Sequence, residues 1–301
     1  MKKVLVVMGG HSSEREVSLV TGKSVSEALR QEGYSVVEHD LINGFDFSVV
    51  LSFNRPDVVF NALHGKFGED GSIQGFLDIL QIPYTHSNTT ASAIGMNKEF
   101  TKEIAKTVGI KLANSEKMTT KDFLSKGTNI EIPYVIKPVS EGSSVGVHIV
   151  KKTEDLKNIY LQDNDQEIMI EKFIEGKELT CMVLNGKAHV VTELIAGNEF
   201  YDYQAKYTSG MTQHILPAQI SKKVTKQIKE YAEKIHIALG CNVVSRSDFR
   251  YNEKDGVIFL EINTNPGMTP LSLVPEQAKY IGISYGELCK TLVENASCKK
   301  I

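Results

Sequence analysis

The sequence predicts an α/β protein, and three observations carry that reading. Residues Lys3–Met8 form a continuous apolar run, the mark of a strand buried on both faces in a parallel sheet. Strand-like and helix-like segments then alternate through the first third of the chain, as βαβ units do. Hydrophobic residues make up 41 % and charged residues 24 % of the 301, the composition of an ordinary globular protein. That length allows two domains, or one large one, with an ample core.

The elements follow in order. After the Gly9-Gly10 loop, Val17, Val20, Val25, Ala28 and Leu29 recur at helical spacing, and Gly33 closes the segment as a C-cap. Val36-Val37 and Val58–Phe60 supply further strands, and Ile73–Leu80 a helix that ends before Pro83. These make a small α/β unit over residues 1–95, with ligands expected at the carboxyl ends of its strands. A second unit, residues 96–182, opens with a helix from Met96-Asn97-Lys98 to about Val108. The strands Tyr134–Lys137, Val145–Val150 and Glu167–Glu171 follow, with Glu154–Tyr160 helical. From Glu178 to Leu194 two β-rich runs flank Asn185-Gly186, a hairpin signal because both residues tolerate positive φ. The third unit, residues 183–301, contains a long polar loop over Ala196–Gln213 and a helix from Lys222 to Leu239 stopped by Gly240. Strands around Val243–Arg250 and Val257–Asn263 and two short helices complete it.

Composition excludes more than it assigns. With 34 Lys+Arg against 37 Asp+Glu the formal net charge is −3, so no general electrostatic pull draws the chain to nucleic acid or to an anionic membrane. No apolar run approaches the ~18 residues of a membrane span. Met1-Lys2-Lys3 resembles a signal-peptide start, but Val4–Met8 is too short to continue one. Four cysteines without C-x-x-C spacing point to reduced thiols in a cytoplasmic protein, and away from zinc or a disulfide scaffold.

Five segments carry chemistry. Gly9–Ser18 follows the first strand and opens a helix; its glycines let backbone approach a ligand, and a helix N-terminus favours negative charge. Glu14 and Ser18 share one helix face, although simple N-capping by Ser12 or Ser13 accounts for the same composition. The order is not G-x-G-x-x-G, which argues against a nicotinamide dinucleotide. Asn61–Gly71 is unusually polar for a strand exit and puts His64 where α/β sheets place sites, though a lone histidine is more often a structural hydrogen-bonder. In Ile136–Val147, Lys137 ends a buried strand and a Ser/Gly-rich loop turns back, so backbone amides can cradle phosphates that the lysine neutralises. This is not a Walker loop, and an ordinary hairpin leaves a costly buried ammonium unexplained.

In Ile170–Glu178, Glu171 and Glu178 flank an apolar pair, a segment suited to an adenine edge through main-chain groups and a ribose through a carboxylate. The fifth segment pair is the most informative. Arg246 and Asp248 share one strand face, as do Glu261 and Asn263. If the two strands pair across the turn Asn252–Gly256, two carboxylates and an amide oxygen converge beside an arginine. That donor set suits a hard ion such as Mg²⁺ bridging substrate phosphates. A salt bridge between Arg246 and one acid explains only part of it.

Together these segments resemble the ATP-grasp enzymes, specifically the D-alanine–D-alanine ligase family. The resemblance rests on GGHSSEREVS (9–18), LHGKFGEDG (63–71), MNK (96–98), IKPVSEGSSVG (136–146), EKFIEGKE (171–178), FYDYQAKY (200–207), RSD (246–248) and EINTNPGMTPLS (261–272), in the family's order over nearly the whole chain. It implies a small Rossmann-like N-terminal domain, a central ATP-grasp subdomain and a C-terminal α/β domain with a lid loop and metal site. The implied reaction is ATP-dependent condensation of two D-alanines through a D-alanyl phosphate, for peptidoglycan synthesis, by a cytoplasmic homodimer. Its cofactors are ATP and two Mg²⁺ ions, with Mn²⁺ an alternative.

The resemblance also assigns residues. Lys98 and Lys137 contact nucleotide phosphates, while Glu171, Lys172, Phe173, Ile174 and Glu178 bind adenine and ribose. Asp248, Glu261 and Asn263 hold the metal ions. Glu14 anchors the ammonium of the first D-alanine, with Ser18 and His64 nearby. Arg246 and the Gly267 N–H are oxyanion donors, and Ser272 with the Leu273 amide takes the second carboxylate. The lid, about Ala196–Gly210, brings Lys206 to the γ-phosphate and Tyr207 through Ser143 to Glu14. Two positions depart from the pattern: Ser247 stands where an aliphatic residue is common, and Leu271 where histidine is. A non-catalytic nucleotide-binding protein on the same scaffold is disfavoured because every expected position is filled. The Glu14–Ser143–Tyr207 set counts against a D-alanyl-D-lactate-type enzyme or another ATP-grasp carboxylate–amine ligase.

Overall fold

The computed structural model describes residues 1–42, 44–53, 55–142, 146–159, 161, 164–196 and 212–299. Three sheets organise them. β1 (Lys3–Met8) lies between β2 (Ser35–Asp40) and β3 (Val58–Asn61) in a parallel sheet. The unbroken apolar run of β1 is explained by burial on both faces. Val4, Val6 and Met8 pack with Val25 and Leu29 of α1 (Arg15–Gln31), while Leu5 and Val7 pack with Phe47 and Leu51 of α2 (Gly44–Phe53) and Leu77 of α3 (Ser72–Ile79). α2 has no counterpart in the sequence reading, because its apolar residues run all round the helix and give no periodicity.

The helix expected from Met96 to about Val108 is present over Lys98–Thr107, and a further helix with no counterpart in the sequence reading precedes it. Asn97 adopts extended backbone between α4 (Thr89–Met96) and α5 (Lys98–Thr107), and its side chain caps α5 by accepting from the Glu99 and Phe100 amides at 3.0 and 3.1 Å. A four-stranded antiparallel sheet follows, in the order β4 (Ser115–Thr119), β7 (Glu167–Lys172), β5 (Tyr134–Pro138), β6 (His148–Val150), with α6 (Thr120–Lys126) against it. β4 is a half-buried polar edge strand, SEKMT, which has no hydrophobic signal to read. The segment expected to be helical from Glu154 is a short 3₁₀ helix, Thr153–Asn158.

The third sheet is antiparallel and five-stranded. β8 (Lys177–Leu184) and β9 (Lys187–Ala196) form the expected hairpin, with Asn185 and Gly186 at φ of 50° and 76°. β11 (Val244–Asn252) and β12 (Gly256–Asn263) pair across the Asn252–Gly256 turn, and β10 (Thr212–Ile215) joins the outer edge of β9. Thr212 pairs with Ala196, so β10 and β9 adjoin on either side of residues 197–211, which hold most of the expected lid and lie outside the described residues. α7 (Lys222–Leu239), capped by Ser221 and ended by left-handed Gly240, covers this sheet with Val224, Ile228, Ile235 and Leu239. β8 runs through the expected boundary at 182/183 and lies wholly in the five-stranded sheet.

The last two helices return to the beginning. Leu288 and Leu292 of α9 (Tyr285–Glu294), which follows α8 (Leu273–Tyr280), share one core with Val4, Phe60, Met182, Leu184 and Val244. The first and third sheets are thereby held together by apolar packing. Cys181, Cys241, Cys289 and Cys298 are free thiols. Among the described residues no helix is long and apolar enough to cross a membrane.

His86, just after β3's bridge partner Tyr84, generates a testable pH dependence. It is 2 % exposed, lies edge-on to Phe60 at 5.4 Å, and burial pushes its pKa down to about 3. An unfolded chain takes up that proton near pH 6.5. This contribution to stability is therefore complete above pH 6.5 and lost as the pH falls towards 3, amounting to about 2 kcal/mol by pH 5. His86→Asn, which tolerates the left-handed backbone at φ 69°, should flatten this slope. Urea midpoints at pH 8 and pH 5 measure it; equal slopes in variant and parent exclude His86 as the cause.

Candidate active site

Two adjoining clefts, of about 880 and 910 Å³, run along β11 and β12 and share Lys98, Glu141 and Glu261 as lining residues. The pairing of these strands sets the site. Arg246 lies opposite Asn263 and Asp248 opposite Glu261, so all four side chains share one face, as the two-residue period requires. A bulge then places Leu260 as an extra residue in β12, beside the second cleft. Asp248 accepts from Arg246 at 2.9 and 3.1 Å and from the Thr180 hydroxyl at 2.6 Å. Lys98 approaches Glu261 at 3.6 Å and donates to the Glu141 carbonyl at 2.6 Å.

The first cleft gathers Glu14, His64, Arg246, Asn263, Gly267, Ser272 and Leu273. Glu14 is held there by its flanking loop. Arg15 grips Asp40 through two bonds of 2.7 and 2.5 Å and the Gly10 carbonyl at 3.2 Å. A Cβ on Gly9, at φ +80°, would collide with the Asp40 carboxylate, so only glycine passes here. His64 is buried between Glu69, 3.2 Å from Nδ1, and Thr21, 3.1 Å from Nε2. Burial opposes its positive charge, but the Glu69 carboxylate, with Glu14 beyond it, raises its pKa above the usual imidazole range. Burial likewise raises the pKa of Glu69. At the far wall Ser272 begins α8 and its Oγ accepts from the Thr269 amide at 3.0 Å. A helix N-terminus with open amides favours a carboxylate.

The second cleft has apolar walls of Val135, Phe173, Ile174, Leu194 and Leu260, with Lys137, Glu171, Lys172, Glu178 and Asp248 at its edges. Its linking segment between β7 and β8 is clamped. The Arg250 guanidinium lies 5.6 Å over the Phe173 ring, donates to the Gly176 carbonyl at 3.2 Å and sits 3.5 Å from Glu178. A Cβ on Gly176, at φ +110°, would meet the Tyr251 carbonyl. Glu171 is buried and paired with both Lys102 and Lys137; despite burial, the two ammonium groups hold its pKa below the ordinary carboxylate range.

The structure thus brings together most residues that the sequence singles out. Ser18 differs: it is fully buried, accepts from the Gly9 amide at 2.8 Å and donates to the Ala62 carbonyl at 2.7 Å, so it ties the loop down instead of touching a substrate. Ser143, Lys206 and Tyr207 lie outside the described residues. Sequence reasoning missed Glu69, Lys102, Glu141, Thr180 and Arg250. Two signals were available: Lys102 follows Lys98 by one helical turn, and Arg250 follows Asp248 by one strand period. Leu271 lines the first cleft beside Ser272 and is exposed. Ser247 points into the core, where its hydroxyl has no hydrogen-bond partner among the described residues.

Two expectations follow for stability. Glu171→Gln strands two buried ammonium groups and should cost about 3–5 kcal/mol in urea unfolding. Lys102→Met leaves Glu171 paired with Lys137 and should cost clearly less; the opposite ranking would contradict the pairing. Ser247→Ala removes the unpartnered hydroxyl and should raise stability by about 1 kcal/mol.

Comparison with known proteins agrees with this geometry. The family model described as D-ala D-ala ligase C-terminus matches residues 98–294, and that of the D-ala D-ala ligase N-terminus matches residues 39–87. The D-alanine–D-alanine ligase of Agrobacterium fabrum (strain C58) is 50 % identical over 306 residues, covering 99 % of this chain and 98 % of that protein. The one from Sinorhizobium fredii (strain NGR234) is 48 % identical, with the same coverage. Among solved structures, D-alanine–D-alanine ligase from Bacillus anthracis complexed with ATP superposes with a TM-score of 0.82 at 33 % identity, covering 98 % of this chain and 96 % of the other. The VanG D-Ala:D-Ser ligase of Enterococcus faecalis does so at 0.79 and 28 %, covering 97 % and 98 %. With its order of segments, its two adjoining clefts and relatives matched along almost their full length, this chain belongs to the D-alanine–D-alanine ligase family.

Proposed function

We propose that the chain condenses two D-alanines at the expense of ATP, with the nucleotide in the second cleft and both amino acids in the first. The observation that carries this reading is the seam: Lys98, Glu141 and Glu261 line both clefts, so a phosphoryl donor and its carboxylate acceptor meet there. The apolar slot beside Phe173 and Ile174 suits adenine, and the Glu178 carboxylate suits a ribose. Lys98 and Lys137 supply positive charge for the phosphates.

In the first cleft Glu14 holds the ammonium of the first D-alanine, and His64 is fixed beside it by Glu69 and Thr21. Arg246 and the Gly267 N–H stabilise negative charge on the reacting carboxyl group, first as it takes the phosphoryl group and then as the second amine attacks. Ser272 and the Leu273 amide orient the second carboxylate, so the attacking amine is positioned before it reacts. Ser143, Lys206 and Tyr207 keep the roles the resemblance implies.

Asp248, Glu261 and Asn263 fit Mg²⁺, or Mn²⁺ in its place. Among the described residues no three His, Cys, Asp or Glu side chains gather in a group that could hold a metal ion by themselves. Two opposed carboxylates with a neighbouring amide oxygen instead leave room for phosphate oxygens and water, the environment Mg²⁺ prefers. When bound, two such ions would offset charge on the β- and γ-phosphates. The proposed setting is a cytoplasmic homodimer supplying peptidoglycan synthesis.

Phosphate release with ATP and Mg²⁺, with and without D-alanine, L-alanine and D-lactate, tests the reading. Turnover should require D-alanine; its absence overturns the proposal. Glu261→Gln should lower the rate by roughly 10²–10³-fold while the far-ultraviolet circular dichroism stays unchanged. A fully active variant removes the metal assignment.

A further inference from the structure

Lys102 is a buried ammonium that the reaction described above does not use. Its side chain is 3 % exposed, and burial pushes its pKa down to about 8 against the pull of Glu171. Lys137 and Glu171 line the nucleotide cleft, whereas Lys102 reaches Glu171 from behind, out of α5. Within this cluster two ammonium groups share one carboxylate: Lys102 bonds one oxygen of Glu171 and Lys137 the other. Keeping a second cation there is expensive, and a single Lys137–Glu171 pair would already satisfy the carboxylate.

We infer that Lys102 is a positioning residue for nucleotide binding: by neutralising Glu171 from behind, it leaves the charge of Lys137 available to the phosphates. The charge count makes the claim specific. The cluster carries one excess positive charge with Lys102 present and none without it. In the absence of Lys102, a phosphate would have to compete with Glu171 for Lys137. Removing Glu171 together with Lys102 restores the single excess charge. A role confined to packing predicts no such restoration. The inference rests on placing the nucleotide in the second cleft.

The test is calorimetric titration with ADP in Mg²⁺ and, separately, with adenosine, which lacks phosphates. The ratio of the two affinities isolates the phosphate contribution from the base pocket. Lys102→Met should lower that ratio at least tenfold, and Lys102→Arg should keep it within threefold of the parent. The double variant Lys102→Met/Glu171→Gln should regain it. An unchanged ratio in Lys102→Met, or no recovery in a folded double variant, overturns the inference. Should the parent bind neither ADP nor adenosine, the nucleotide assignment fails and this inference with it; where the parent binds ADP, an unchanged ratio in Lys102→Met overturns this inference alone.

Discussion

The register between β11 and β12 is the constraint on which the site depends. Asp248 stands opposite Glu261 and Arg246 opposite Asn263 because the other face of each strand is committed to the core. Phe249, Phe259 and Ile262 pack under α7 with Ile228 and Ile235. A slip of one residue would drive the carboxylates into that apolar layer and turn Ser247 and Phe249 towards the cleft, at a cost no single contact could offset. Hydrophobic burial on one face therefore positions the polar chemistry on the other. The bulge at Leu260 confines the irregularity to the part of β12 beyond Glu261, so the four functional positions stay in regular pairing.

A second constraint joins the sheets. Met182, Leu184 and Val244 of the five-stranded sheet share a core with Val4 and Phe60 of the parallel sheet, closed by α9 from the end of the chain. Polar ties follow the same seam: the Asn265 side chain donates to the Leu63 carbonyl at 2.8 Å, and its amide donates to Asn263 at 3.0 Å. The loop that carries His64 is thus anchored to the strand end that carries Asn263. Distances across the first cleft are set by packed elements on both sides, which is what positioning the proposed substrates requires.

Much of this was legible in the sequence because it lies where local signals are strong. β1, α7 and the Asn185-Gly186 hairpin follow from apolar runs, helical spacing and turn chemistry, and all stand where those signals place them. The opposed acids were legible because strand periodicity and a short turn together determine which side chains meet. α2 and β4 were not, since one is apolar all round and the other nearly polar throughout; tertiary context decides both. Asn97 marks a junction: it caps α5, which the sequence reading placed, and follows α4, which has no counterpart in that reading. Ser18 misled because its helical phase with Glu14 is compatible with two targets, a substrate or the Gly9 amide, and phase alone does not choose.

Charge in the site carries the same logic further than composition does. The chain's net charge of −3 conceals a cationic cluster at one cleft and an acidic one at the seam. Lys102 and Lys137 bracket Glu171, while Arg246 brackets Asp248 and Lys98 approaches Glu261. In each case a cation already lies against the carboxylate, so the groups proposed to meet phosphate or metal are held in place beforehand. Such an arrangement limits reorganisation when a polyanion enters, because arriving charge replaces existing partners and does not have to order free side chains. The cost is borne in the empty protein, where like charges such as Lys102 and Lys137 are kept close. That balance is what makes a buried lysine, lining neither cleft, matter to the proposed affinity of the neighbouring one.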